Sequence, residues 1–434
     1  MWFRRDLRLG DNPALLAAIA NSDEIVPLFI LDPVLIKQAG SKRLAYLANS
    51  LHELDGSLGG KLHVVVGDQV EVLKSYNPSE VHISQEFEPY GAARDKKVLD
   101  AGINLIVTGS PYAVSPGRVR KPDDTNYRVY TPFYKGWLAH GWRGPVGAPK
   151  EFNALKPNKD QRQFPEWKTE FNIPQAGEAA ALARFEWFKK NALESYDEQR
   201  NMAGVDGTSK LSAHLKFGEV HPRTLLLGLN STKAHDTFRK EIAWREFYAD
   251  VLFHNPHTVD EYYTEKFANM RYNEPDEKFK AWCEGKTGYP FVDAAMRQLI
   301  TTGWMHNRTR MVVASFLVKD LHIEWQHGAN FFMEHLVDYD PASNSHGWQW
   351  TAGCGTDASP YYRVFNPTEQ GRKFDPEGDY IRKYVPELAA VPTELIHEPG
   401  LSYISPIVDH KVERMESLAR LEEIKEIKPI FPNS

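Results

Sequence analysis

Cysteine is nearly missing from this 434-residue chain. Cys283 and Cys354 are the only two, too few for a disulfide framework or a cysteine-ligated metal cluster. No apolar run is long enough to span a bilayer; the longest, Met311 to Val318, is bracketed by Arg310 and Lys319. No signal-peptide pattern opens the chain, because Arg4, Arg5, Asp6 and Arg8 interrupt it at once. Neither sign of charge dominates: 52 basic against 58 acidic residues leave a net charge of −6. Bulk charge therefore does not mark a nucleic-acid binder, although a local basic face can sit inside such a total. Internal repeats and low-complexity tracts are absent too. So are a Walker-type phosphate loop, a GxGxxG after a strand and an HExxH. Hydrophobic residues at 42% and charged residues at 25% exclude disordered and fibrous classes. The expectation is a soluble, cytoplasmic protein of two to four domains, at roughly 100–200 residues per domain.

Aromatic residues are plentiful, at 12% with 11 Trp. The opening third alternates short β-rich runs with helical patterns. Candidate strands are Ile25–Leu31, Leu62–Val66, Val81–Ser84 and Asn104–Thr108. Between the first two, Leu44, Leu47, Leu51, Leu54 and Leu58 recur at helical spacing over Ser41–Leu58. Strand–helix–strand order with runs apolar on both faces predicts a parallel, Rossmann-like sheet covered by helices. Pro, Gly and Lys clusters then read as a connection draped over a surface. Beyond Gly177 the periods are helical, as in Thr237–Leu252, Pro290–Thr302 and Asn307–Lys319. The division is 1–115 (α/β), 116–177 (linker) and 178–434 (mostly α-helical).

Four stretches of the helical part could carry chemistry. Gly207-Thr208-Ser209-Lys210-Leu211-Ser212 offers hydroxyls, amides and a cation at a helix start. That suits a pyrophosphate, although such a run taken alone is more often an ordinary Ser/Thr N-cap. Glu241, Trp244, Arg245 and Tyr248 share one helix face by i, i+3, i+4, i+7 spacing. A carboxylate, an indole and a guanidinium there could grip a flat ligand with polar edges, or form an aromatic core stripe with an ion pair. In Gly303–Met311, Asn307 pairs with Met311 and His306 with Arg310 at i, i+4. His306 reads as a satisfied buried imidazole or a catalytic one. Asp338 and Asp340 lie near His335 and His346 without a regular ligand pattern, so no metal is expected. The two acids suit ribose hydroxyls or ring N–H groups better.

Together these blocks resemble the photolyase/cryptochrome family nearly end to end. The likeness begins with Trp2-Phe3-Arg4-Arg5-Asp6-Leu7-Arg8-Leu9-Gly10-Asp11-Asn12. It continues through Gly207–Ser212, Trp244–Tyr248, Lys286–Pro290, Asp293–Arg297 and Gly303–Met311. Gly347-Trp348-Gln349-Trp350 and Arg363–Pro367 close it. The resemblance implies an N-terminal α/β domain, a linker, and a helical domain binding FAD. It assigns Tyr196, Thr208, Ser209, Lys210, Leu211, Ser212, Arg245, Arg310, Asp338 and Asp340 to FAD, with Asn344 facing the reactive flavin edge. Glu241 matches the carboxyl group that bonds a thymine dimer, so Glu241 and Asn344 carry the catalytic roles. Trp244 and Trp350 match the dimer-pocket walls, Asn307 and Met311 its lining, and Arg200 and Arg308 DNA contacts. The implied activity is blue-light repair of cyclobutane pyrimidine dimers by one-electron donation from excited FADH−. A monomer acting on damaged DNA is implied, with no membrane partner. The alternative within the family is a photosensory cryptochrome that repairs nothing.

Departures from the family's branches narrow this further. (6-4) photolyases carry His where Asn307 and Met311 stand, DASH cryptochromes Ser and Gln where His306 and Met311 stand, and plant cryptochromes Asp where Asn344 stands. The chain is thus most similar to cyclobutane-dimer photolyases. The flavin-reducing aromatic chain maps to Trp348, Trp325 and, outermost, Tyr272 in place of the usual Trp; Trp282 or Trp304 could substitute. His346 beside Asn344 could titrate near neutral pH and tune the flavin, or point away. Glu86-Phe87-Glu88-Pro89-Tyr90-Gly91 lacks the Asn-Glu pair of folate-binding members and implies a deazaflavin antenna or none.

Overall fold

A computed structural model of the chain describes residues 1–357 and 362–426. It divides into two compact units. The first comprises Met1–Glu198, Gly207–Pro256 and Leu336–Ala342; the second comprises Gln199–Asp206, His257–His335 and the chain from Ser343 onward.

The first unit opens with parallel strands β1 (Trp2–Phe3), β2 (Leu28–Leu31), β3 (His63–Val66), β4 (Val81–Ile83) and β5 (Leu105–Val107). Helices α1 (Pro13–Asn21), α2 (Pro33–Gln38), α3 (Ser41–Ser57), α4 (Gln69–Tyr76) and α5 (Pro89–Asp100) alternate with them. Strands β1, β2 and β3 form one ladder and β4 and β5 another. The registers run Phe3↔Phe29, Phe29↔Val64 and Ile83↔Val107. Successive side chains leave opposite faces of a strand, so Phe3, Phe29, Leu31 and Val64 enter one apolar core, and Trp2, Leu28, Ile30 and Ile83 the other. Each large apolar side chain removed from water contributes about 1.5–3 kcal/mol. This is the α/β order that the alternating pattern predicts.

Two boundaries differ from the sequence reading, for local reasons. The ladder of β2 starts at Leu28 rather than Ile25, because Pro27 has no N–H to give. Ile25 pairs instead with the later chain, accepting from Leu155 N at 2.8 Å. The stretch read as a draped linker holds a helix, α6 (Tyr130–His140). Its Tyr130, Phe133, Tyr134 and Trp137 are buried; their i, i+3, i+4, i+7 spacing lay between Pro- and Gly-rich clusters that dominate the composition there.

The rest of the first unit is helical, with α7 (Glu178–Asn191), α8 (Tyr196–Gln199), α9 (Ser212–Phe217), α10 (Pro222–Leu226) and α11 (Lys233–His254). The second unit adds α12 (Glu277–Glu284), α13 (Pro290–Thr302), α14 (Asn307–Lys319), α15 (Trp325–His335), α16 (Pro341–Ala352), α17 (Pro367–Phe374), α18 (Asp379–Tyr384) and α19 (His410–Glu426). Helices α13 and α14 match their expected bounds because their signals are local. Pro290 occupies the first turn, Gly303 at φ +69° ends α13, and the His306 ring caps α14 by accepting from Arg308 N. Among the described residues no helix is long and apolar enough to cross a membrane.

Candidate functional site

Helix α11 separates two kinds of residue cleanly. Ile242, Ala243, Glu246, Phe247, Ala249 and Asp250 are buried. Glu241, Trp244, Arg245 and Tyr248, the face singled out by spacing, are all half-buried. The core stripe thus runs through Phe247, not Trp244. The indole of Trp244 lies flat on Tyr130 of α6, with ring centroids 3.7 Å apart at 7°. Arg245 donates to Pro111 O at 3.0 Å, with its guanidinium over the Tyr112 ring.

Behind this face sits a carboxylate that sequence reasoning passed over. Glu246 accepts from Ala113 N (2.5 Å), Val114 N (3.0 Å) and Trp137 Nε1 (2.7 Å). Burial pushes its pKa up despite those three donors. Asp250, one turn on, accepts from Gly117 N at 2.7 Å. The pair ties the chain after β5 to α11. A buried acid whose partners are distant backbone amides leaves no mark in a local pattern.

The Gly207–Ser212 loop is held from below by Arg184, which donates to the carbonyls of Ser209 (2.9 Å) and Thr208 (2.6 Å). Lys210 adopts φ +54°. The N-cap of α9 is Leu211, with no side-chain cap bond, so the ordinary Ser/Thr cap is not what this run forms. Its carbonyls are engaged by Arg184, and its hydroxyls, cation and helix-opening amides form a donor set suited to a diphosphate. Tyr196 is buried edge-on between Phe188 and Phe238.

Asp338 and Asp340 are both buried. Asp340 Oδ2 accepts from Arg5 Nη2 at 2.7 Å, and Arg5 also pairs with Glu88. Burial pushes Glu88 up against the pull of Arg5, and pushes the neighbouring Lys216 ammonium down. Among the described residues no group of three or more His, Cys, Asp or Glu is placed to hold a metal ion. Farther along the strand ends, burial would raise Glu86, but Arg94, Arg4 and Arg5 overcome it and hold the carboxyl at about 2. Both Arg4 and Arg94 lie over the Trp2 ring.

The second unit carries the other candidates. On α14, Asn307 is exposed and Met311 half-buried. Arg310 Nε donates to Met305 O at 2.9 Å, and Arg308 Nη2 to Asn201 Oδ1 at 2.8 Å. Arg200, beside Asn201, is half-buried. His306 serves as the helix cap, the structural reading of that residue. On α16, Asn344 Nδ2 donates to Ala329 O at 3.1 Å. Trp350 lines a cavity of about 300 Å³ with Tyr362 and the cations Lys266, Lys319, Arg363 and Lys425. No acid stands among its described lining residues. Lys319, one of these lining residues, donates to Arg363 O at 2.6 Å and is pushed by burial down to about 7.

Trp348 is buried between Trp282 and Phe332, at centroid distances of 6.2 and 5.0 Å. Its ring packs on Gly328, where any Cβ would run into the indole. Trp325 stands three residues before Gly328 on the same helix, buried and edge-on to Tyr262 at 6.2 Å. Tyr262 Oη donates to Glu324 Oε1 at 2.7 Å, and Tyr272 Oη donates to Phe267 O at 3.5 Å. Trp304 has a ring contact with His306.

Of the two readings of His346, its burial favours the one in which the ring carries no charge near neutral pH. The ring is fully buried, meets Thr258 Oγ1 at 3.3 Å, and is pushed by burial down to about 4. It stays neutral through the physiological range. The unfolded chain protonates this imidazole near pH 6.5 and the folded one only near 4, so its contribution is complete above 6.5 and lost as pH falls between those values. That window is worth about 3 kcal/mol. His346→Gln is expected to flatten the fall in unfolding free energy from pH 6.5 to 4, measured by denaturant titration. An unchanged slope would assign the acid sensitivity to other groups.

Comparison with known proteins adds a separate observation. Residues 1–154 match the family described as DNA photolyase, and residues 238–423 match the FAD binding domain of DNA photolyase. The chain is 37% identical to a deoxyribodipyrimidine photo-lyase of Agrobacterium fabrum, over 98% of each chain. It superposes on a bacterial class III photolyase from Agrobacterium tumefaciens with a TM-score of 0.90 and 37% identity, covering 98% of this chain and 97% of that one. An archaeal photolyase from Sulfolobus tokodaii, solved with two FAD molecules and discussed as having a novel light-harvesting cofactor, gives 0.86 and 31%, over 97% and 99%.

Proposed function

This chain belongs to the DNA photolyase family, and we propose that within it the protein repairs cyclobutane pyrimidine dimers in DNA with blue light. The observation that carries this reading is the half-buried face of α11. Glu241, Trp244, Arg245 and Tyr248 lie half-buried together on one face of a helix whose other side is core, and a carboxylate, an indole and a guanidinium side by side suit a flat ligand with polar edges.

A dimer turned out of the duplex loses base stacking, a cost of a few kcal/mol. Aromatic walls return about 1–3 kcal/mol per base, so Trp244 and Trp350, as such walls, would each offset part of it. Glu241, as a carboxylate, accepts from a ring N–H of the lesion. Asn307 and Met311 line the pocket, and Arg200 and Arg308 hold phosphates. The acid-free, cation-lined cavity beside Trp350 supports further backbone contacts on the same unit.

Tyr196, Thr208–Ser212, Arg245, Arg310, Asp338 and Asp340 would hold FAD, with Asn344 beside its reactive edge. The Gly207–Ser212 donor set suits the diphosphate, and the two buried acids suit hydroxyl and N–H groups. Bound there in reduced form, FAD supplies under blue light the electron that splits the cyclobutane ring and then returns. The protein orients the lesion and keeps water out. In the antenna position a folate ring would ask for a carboxylate, and Glu86 is already held by Arg4 and Arg94. That favours a deazaflavin over a folate. In this reading residues 1–115 serve the antenna, 116–177 connect, and 178–434 hold flavin and lesion.

The test is to mix reduced protein with an oligothymidine containing cyclobutane dimers, illuminate it, and follow recovery of thymine absorbance. Recovery only in the light is expected. No recovery by a protein whose flavin still photoreduces would move the chain to the photosensory reading. Glu241→Ala is expected to slow repair about 10–100-fold, the worth of a charged hydrogen bond, with the flavin spectrum unchanged. Repair at the wild-type rate would remove Glu241 from the site.

A further inference from the structure

We infer that Arg5, held in place by Glu88, is a positioning residue for the flavin: its guanidinium fixes the direction in which the Asp340 carboxylate is offered to a hydrogen-bond donor of the cofactor. The inference rests on the proposed placing of Asp340 at FAD and deepens it by naming what holds that acid.

The three side chains are costly where they are. A guanidinium or carboxylate taken out of water loses several kcal/mol of solvation, and apolar residues of similar volume would often fill the space at no loss of stability. Yet Arg5, Glu88 and Asp340 meet with side chains only 10–11% exposed. Arg5 Nη2 donates to Asp340 Oδ2 at 2.7 Å, Nη1 donates to Glu88 Oε1, and Nε donates to Lys216 O at 3.4 Å. Every nitrogen of the planar fork is engaged, which the point charge of an ammonium would not reproduce. Burial would lower Arg5, but Glu88, Tyr112 and Asp340 outweigh it and keep the cation charged.

The seat of Arg5 is itself built. Its main chain, just after β1, passes so close to the end of α9 that a Cβ on Gly218 would overlap Arg5 O, and Gly218 stands at φ +68°. Leu7 N and Arg8 Nη1 donate to Phe217 O (3.2 Å) and Gly218 O (2.8 Å) and fasten the same segment. Glu88 is the N-cap of α5, yet its side chain makes no cap bond and goes to Arg5 instead. Asp340 thus meets a cation whose position is set by β1, α5 and α9. Helix α9 opens directly after the Gly207–Ser212 run, so one guanidinium ties the acid to the element that carries the proposed diphosphate loop.

A carboxylate accepts hydrogen bonds close to the plane of its two oxygens. With Oδ2 on Arg5, the plane of Asp340 is set before a ligand arrives, and binding need not order it. Loss of Arg5 would take away the cation that pairs Asp340 and leave it near the Glu88 carboxylate. The acid would then turn or take up a proton, and either change makes it a poorer acceptor for a flavin N–H or hydroxyl.

The experiment measures the FAD affinity of the holoprotein from the flavin fluorescence released on serial dilution. Arg5→Met is expected to weaken FAD about 10–100-fold, the worth of one charge-assisted hydrogen bond. Asp340→Asn should weaken it by a similar factor. Adding Arg5→Met to Asp340→Asn should then cost no more than about 2-fold, because Arg5 acts through that acid. Arg5→Lys keeps the cation without the fork and should recover part of the loss. Losses that multiply in the double variant would make Arg5 a general support of the fold and overturn the positioning role. Wild-type affinity in Arg5→Met, or an equal loss in Arg5→Lys, would do the same. Wild-type affinity in Asp340→Asn would instead remove that acid from the flavin site, and the premise with it. Should Arg5→Met fail to fold, Arg5→Gln, which keeps hydrogen-bond donors without the charge, takes its place in the same cycle.

Discussion

Trp348→Phe is expected to abolish light-driven reduction of the oxidised flavin while leaving repair by chemically reduced protein intact. The Trp348 indole packs on Gly328 of α15, and Trp325 lies three positions earlier on that helix. Phenylalanine keeps the ring against Gly328 and Phe332 but cannot be oxidised by the flavin. The smaller ring leaves a gap that costs about 1–2 kcal/mol, too little to unfold the unit. The measurement is bleaching of the oxidised flavin band under blue light with a thiol donor. Repair is then assayed on protein reduced beforehand with dithionite. Persistent bleaching would direct the electrons elsewhere; lost repair by reduced protein would make Trp348 part of the lesion or flavin site.

Trp244→Ala carries the second large effect. If the indole is a wall of the lesion pocket, removing it forfeits about 1–3 kcal/mol of stacking for each base it covers, a 5- to 150-fold loss in affinity. The loss should fall on dimer-containing DNA and spare undamaged DNA, since stacking on a flipped lesion is what the wall provides. Tyr130→Ala should reproduce a fraction of it. Tyr130 touches the back of the indole at 3.7 Å and holds its plane, an interaction worth about 0.5–1.5 kcal/mol. Fluorescence anisotropy with matched damaged and undamaged oligonucleotides would measure both. An equal loss on the two DNAs would show that Trp244 supports the first unit rather than the lesion.

How far the sequence carried the argument depended on the range of each signal. The ends of α13 and α14 were legible because Pro290, Gly303 and His306 act within one turn of themselves. The half-buried face of α11 was legible because helical spacing alone sets which residues share it. The ladder start at Leu28 turned on Pro27, a local rule that a run of apolar residues overshadowed.

Other features could be decided only in three dimensions. The titration of His346 depends on complete burial, and a histidine beside Asn344 carries no sequence mark of its depth. Tyr130 beneath Trp244, Glu246 on the amides of Ala113 and Val114, and Tyr262 on the carboxylate of Glu324 all join residues far apart in the chain. The sequence by itself determined the α/β-then-helical order, the family and the residue types available for chemistry, since these follow from periodicity, caps and motif order. Only the tertiary structure decided which of those residues are desolvated and what each one touches. Burial and hydrogen-bond partners set a group's charge and orientation, and both arise from contacts that no local pattern encodes.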